Sequence, residues 1–211
     1  MKLKALIAAA GFALFAGASN AAVFTSLDTC SVTDVSATAD ACFGAIAEAP
    51  VNDSETLLNN NTFGGLTGLF GITDWSFLAK KDIGGGLSGT DIGLSVTGGS
   101  TAGSWSVDAG ALDAYDSVTI VLKASNSFAA YLYQPGSDAG SSGSWATDAF
   151  TNKQGKVQAL SHLSIYTSGV CDPINQVCGP PVGQVPIPAS LPLMMGALGI
   201  VGVVARRRRK A

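Results

Sequence analysis

The chain has 211 residues, with 12 Lys and Arg against 15 Asp and Glu, one His, and 47% hydrophobic residues. The length suits one domain around a single core, and the acidic balance argues against a nucleic-acid partner. One histidine rules out a catalytic or metal site built on several imidazoles.

Taken in chain order, Lys2 and Lys4 open a small basic region, and residues 3–17 form an apolar run. Ala18-Ser19-Asn20-Ala21 then offers small residues at the two positions a signal peptidase reads. Cleavage after Ala21 is expected, and residues 1–21 are set apart from the fold as a signal peptide. The rival, a retained transmembrane helix, is disfavoured because the run is short, diluted by Gly and Ala, and lacks a stop-transfer flank.

Roughly 165 residues remain between this segment and the tail, enough for one core. Helical signals are poor, whereas apolar residues recur at every second position between Gly, Ser, Asn and Asp turns. Ile92, Leu94 and Val96 alternate, as do Val118, Ile120 and Leu122, with Thr119 and Lys123 pointing the other way. Residues 129–133 follow after a turn at Ser125-Asn126, which predicts a hairpin. A last strand is expected over 157–166. Short strands without helical crossovers predict an all-β fold, an antiparallel β-sandwich of the jelly-roll or lectin-like kind.

The four cysteines, Cys30, Cys42, Cys171 and Cys178, all fall in this exported region. An even number in an oxidising compartment predicts disulfides, and the spacing suggests Cys30 with Cys42 and Cys171 with Cys178. Neither interval is a Cys-x-x-Cys, so no zinc site is expected. Nor is a cofactor.

Any Ser-His-Asp or Cys-His device would have to use His162, which lies in the strand pattern Leu160-Ser161-His162-Leu163-Ser164, expected on the same side as Leu160 and Tyr166. A packed or surface-strand histidine is the preferred reading. The body holds no Gly-x-Ser-x-Gly elbow and no His-Glu-x-x-His. Asp108, Asp113 and Asp116 offer carboxylate pairs, but 15 acids always produce neighbours and identify no glycosidase. Gly84-Gly85-Gly86-Leu87-Ser88-Gly89 satisfies the dinucleotide-binding string without its strand–helix context, and a flexible turn is expected instead. Among the aromatics, Trp105 and Trp145 are candidate platforms for stacking on sugar rings, weighed against the reading of each as a core residue at a strand end.

Gly179-Pro180-Pro181 begins a stiff linker over 179–184. Then come Val185-Pro186-Ile187-Pro188-Ala189-Ser190, an apolar segment over 191–205, and Arg206, Arg207, Arg208, Arg209 and Lys210. As a helix the apolar segment covers about 22 Å of a roughly 30 Å hydrocarbon core, a marginal span. Counting from Val185 lengthens it, and the arginines can snorkel. The basic end is then a cytoplasmic anchor that leaves the body on the far side of the inner membrane, in agreement with the signal peptide.

This tail resembles the VPLPA or PEP-CTERM sorting signal of bacterial proteins handled by an exosortase. Residues Val185, Pro186, Ile187, Pro188 and Ala189 stand for the motif and Arg206 to Lys210 for the basic end, with Ile187 departing from the more usual Leu or Glu. The resemblance implies a membrane-held precursor, removal of the tail at or near the motif by an exosortase-type processing enzyme, and delivery to the surface or to exopolysaccharide. The alternative is a permanent single-pass tail anchor. More loosely, the stretch from Thr62-Phe63-Gly64-Gly65 through Gly103-Ser104-Trp105 and Gly143-Ser144-Trp145 to residues 156–166 resembles the central region of many exported proteins with this signal, with which no activity is associated.

Seven of the cations lie in the two terminal segments, which leaves 5 cations against 15 anions in the body, a balance of −10. Such a surface repels nucleic acid and anionic lipid. The organisation expected is a signal peptide over 1–21, an exported domain over 22–178, the linker, and the sorting segment over 185–211. The expected function is a non-enzymatic protein of the cell surface or extracellular matrix. A carbohydrate-binding, lectin-like module is the alternative, followed by a secreted hydrolase.

Overall fold

A computed structural model of the chain describes residues 22–25, 30–46, 52–134, 139–172 and 177–179. The expectations for Ala21, for the motif at Val185, Pro186, Ile187, Pro188 and Ala189, and for the basic end at Arg206, Arg207, Arg208, Arg209 and Lys210 lie outside them. Among the described residues the fold is almost entirely β, and its two larger sheets are antiparallel.

The strands are β1 (Val23–Phe24), β2 (Ala41–Ile46), β3 (Thr62–Phe63), β4 (Leu66–Thr67), β5 (Ser76–Asp82), β6 (Leu87–Gly89) and β7 (Ser95–Gly98). They continue as β8 (Ala102–Ser106), β9 (Tyr115–Ala124), β10 (Ser127–Tyr133), β11 (Ser142–Ala146), β12 (Leu160–Asp172) and β13 (Val177–Gly179). The large sheet runs in the order β2-β10-β9-β12-β5-β6, with β13 paired to β12. The second runs β11-β8-β7, and a small third sheet joins β1, β3 and β4. One helix, α1 (Glu55–Asn60), stands between β2 and β3.

The hairpin predicted at Ser125-Asn126 is present, a two-residue connection between β9 and β10. Ser125 has φ 51°, the left-handed geometry demanded at the first position of a type II′ turn. The last strand is longer than its sequence pattern, because after Tyr166 it continues beside β9 as far as Val170. Half of the glycine string is also strand: Ile83 and Gly84 make the turn, closed by the Gly85 N–H on Asp82 O at 3.1 Å, and Leu87–Gly89 pairs back on β5.

The central strands differ from the half-buried expectation. On β9, Val118, Ile120 and Leu122 enter one core with Trp105 and Trp145 of the second sheet. Val121, pointing the opposite way, enters another core with Phe24, Leu58, Phe63, Leu69 and Trp75. Alternate residues of a strand face opposite sides, so the large sheet is covered on both faces. The second sheet packs on one, and α1 with the small sheet packs on the other. Thr119 and Lys123, expected outward, are buried with Val121.

Candidate functional site

The second face of the large sheet carries the site. Asp53 lies just ahead of α1, whose N-cap Ser54 accepts a hydrogen bond from the Leu57 N–H at 3.2 Å. The helix is fastened at several points. Leu58 is fully buried in the second core, and the Asn59 side chain bonds both N–H and C=O of Trp75 at 2.8 Å. Trp75 in turn donates its indole N–H to Leu69 O at 3.0 Å. A short helix has little stability of its own, so these tertiary contacts place Asp53 over the sheet.

Beneath it, β12 presents His162, Ser164 and Tyr166. His162 Nε2 stands 2.6 Å from Asp53 Oδ1, and the Tyr166 hydroxyl donates to Oδ2 at 3.2 Å. The Asp53 side chain is only 3% exposed. Burial works to raise its pKa, but the hydrogen bond and charge of His162, with help from Ser164 and Tyr166, hold it below the ordinary carboxylate value. An ionised carboxylate only accepts, so Nε2 carries the proton between them. Ser164 Oγ is fully enclosed and lies near this carboxylate without completing a well-formed hydrogen bond. Burial and then the charge of Asp53 raise the Tyr166 pKa, which keeps its phenol a donor.

Strand register brings further charges to the same patch. His162 is paired with Lys123 on β9 and with Asp82 on β5. Its Nδ1 is 3.6 Å from Asp82 Oδ1, which also receives Lys80 Nζ at 3.4 Å. Lys123 is 5% exposed and donates to Ser125 O at 2.7 Å. Burial lowers its pKa, and the charge of Asp53 partly opposes that shift. Beside the patch opens a cleft of about 710 Å³ lined by Glu55, Thr56, Phe77, Lys80, Ser88 and His162, among others. Phe77 packs edge-on against Tyr166, with ring centroids 5.6 Å apart.

His162 does share a side with Tyr166, as its spacing suggested, but Leu160 does not. Two residues of β12 advance while β9 advances by one, from the pair Leu160–Ala124 to His162–Lys123. This bulge breaks the alternation, and Leu160 falls into the first core. Sequence reasoning missed Asp53 and the charged neighbours. The local signal was Asp53-Ser54-Glu55 ahead of Leu57-Leu58, a helix N-terminus passed over among abundant turn residues.

Trp105 and Trp145 lie elsewhere and form no ligand platform. Each is about 1% exposed. Their Gly-Ser-Trp segments pair antiparallel, setting Gly143 opposite Trp105 and Trp145 opposite Gly103. A Cβ at Gly103 would stand 2.7 Å from the Trp145 ring, and one at Gly143 would stand 2.8 Å from Trp105 Nε1. The Trp105 indole donates to Ser36 O and that of Trp145 to Ser104 O, each at 3.2 Å. Backbone stands closer still, the Thr97 carbonyl oxygen at Gly103 and the Ser36 carbonyl oxygen at Gly143, so each glycine is required by a close backbone approach as well as by the tryptophan that faces it.

Cys30 and Cys42 form a disulfide. Backbone register sets Cys171 opposite Cys178 across β12 and β13, while their side chains lie outside the described part. Among the described residues no group of three or more His, Cys, Asp or Glu is placed to hold a metal. Compared with family models, curated proteins and solved structures, the chain matches none.

Proposed function

We propose that the chain is the precursor of an exported, non-enzymatic bacterial protein of the cell surface or extracellular matrix. Residues 1–21 are its signal peptide and residues 185–211 an exosortase-type sorting segment, held in the inner membrane until cut near Val185-Pro186-Ile187-Pro188-Ala189. The delivered product is the acidic domain between them, a sandwich of the jelly-roll or lectin-like kind. The observation that carries this reading is the Cys30–Cys42 disulfide, because such bonds persist in oxidising compartments and are rare in the cytosol. The order of motif, apolar segment and basic cluster supports it from the other end of the chain. A non-enzymatic role is supported by His162, whose two ring nitrogens both face carboxylates rather than an acid and a nucleophile.

Intact-mass measurement of the protein from envelope and medium, with and without thiol alkylation, tests the proposal. The expected product lacks residues 1–21 and the segment beyond the motif, and holds Cys30 and Cys42 oxidised. Full-length chain in the cytosol with four alkylatable thiols would overturn it.

A further inference from the structure

We infer that the cleft between α1 and the β12–β5–β6 end of the large sheet is a binding site for a neutral, polyhydroxylated ligand of the oligosaccharide class. The site goes beyond the proposed destination of the protein and does not depend on it.

The volume of about 710 Å³ falls in the range of small-molecule sites. Three of its polar groups are fixed before any ligand arrives: Asp53 ties His162 and Tyr166 to the segment leading into α1, and α1 is anchored in the second core. Preorganisation of this kind lowers the ordering cost of binding. The lining combines two aromatic rings, Phe77 and Tyr166, with hydroxyls at Thr56 and Ser88, the Lys80 ammonium and the Glu55 carboxylate.

Charge decides the ligand class. Each anion at the cleft already has a partner within the protein: Asp53 has His162 and Tyr166, Asp82 has Lys80 at 3.4 Å, and Glu55 Oε1 accepts the Phe77 N–H at 2.6 Å. A charged ligand would have to compete with one of these contacts, at the partly exposed Lys80 and Asp82 or at the buried Asp53, whereas a neutral molecule leaves them all in place. Carboxylate oxygens accept more than one hydrogen bond and an ammonium donates three. Hydroxyl groups can therefore join the existing network as additional partners, while a ring face packs beside Phe77. The net charge of −10 on the body further disfavours an anionic ligand.

The only histidine of the chain is a ready reporter, since its ring-proton NMR signals need no assignment against others. Full-length protein in detergent micelles is titrated with cellotriose (neutral), trigalacturonate (anionic) and a glucosamine trimer (cationic). Cellotriose is expected to shift the His162 signals saturably and more tightly than either charged trimer. Removal of a charged hydrogen-bond donor in Lys80→Ala should weaken binding about tenfold. The exposed Thr56→Ala variant, made at a site away from the core, should also bind more weakly. No saturable shift with cellotriose, preference for a charged trimer, or unchanged affinity in both variants would overturn the proposal. None of these outcomes bears on the mass measurement above.

Discussion

At the scale of single residues, the contact between Asp53 and His162 governs the candidate site. Removing the imidazole would leave a carboxylate that is 3% exposed without its main partner. His162→Ala should therefore destabilise the domain by about 3 kcal/mol, read from denaturant midpoints. The same pair sets an acid limit. Because the folded-state pKa of Asp53 lies below its ordinary 3.8, its contribution is complete above that value and is lost as pH falls through the folded-state pKa. Asp53→Asn should flatten the acid limb of stability, measured by denaturation at pH values from about 6 down to 2. Parallel acid limbs in the two proteins would remove Asp53 as the cause. His162 was legible as the only candidate of its type. Its partner lies 109 residues away, and no local pattern encodes a separation of that kind.

At the scale of elements, the paired Gly-Ser-Trp strands make a sharp prediction. Gly103→Ala or Gly143→Ala drives a methyl into backbone, the carbonyl oxygen of Thr97 or of Ser36 respectively, and against the facing tryptophan, and should destabilise by about 3 kcal/mol or more through overpacking. Ser144→Ala, at an exposed position on the same strand, should change stability by less than about 0.5 kcal/mol. Thermal unfolding of the three variants separates packing from a general intolerance of β11. The β9–β10 hairpin offers the opposite sign. Ser125 holds a left-handed conformation that glycine adopts without strain, so Ser125→Gly should stabilise by about 1 kcal/mol. The bond from the Lys123 ammonium to the carbonyl at position 125 survives this change because it uses only the backbone of that residue. Alternation in the sequence located the first strand of this hairpin, and the turn at Ser125-Asn126 located the second. It did not show that both faces would be buried, because Thr119 and Lys123 look like solvent residues until α1 and the small sheet cover them.

At the scale of the whole molecule, the polar stretch 30–40 is held across both larger sheets. Tyr131 donates to Asp34 at 3.1 Å and Tyr133 to Ala37 O at 2.6 Å, while the Ser36 N–H donates to Ser144 O on β11 and the Ser144 N–H donates back to the Ser36 hydroxyl. The Cys30–Cys42 bond closes this stretch over a sequence separation of 12. In the chain-entropy view a loop of that length contributes about 2 to 3 kcal/mol. Replacing both cysteines by Ala should lower stability by that amount while leaving a folded domain, since the tyrosine and backbone bonds remain. Circular dichroism with denaturant titration of the double variant checks both parts. Complete unfolding would mean that the disulfide, and not the β core, organises this end of the molecule.

The amino-acid order alone determined the β class, the central hairpin, one cysteine pair and the histidine to watch, because these follow from alternation, turn chemistry and short spacing. Only the tertiary structure decided which side chains face each other. The bulge in β12 moved Leu160 away from His162, the third layer buried the far side of β9, and the two tryptophans turned inward against each other's glycines. Asp53 reached His162 for the same reason. Such juxtapositions depend on register and layer packing between distant segments, where a shift of one residue reverses every side chain, and the local sequence carries no mark of it.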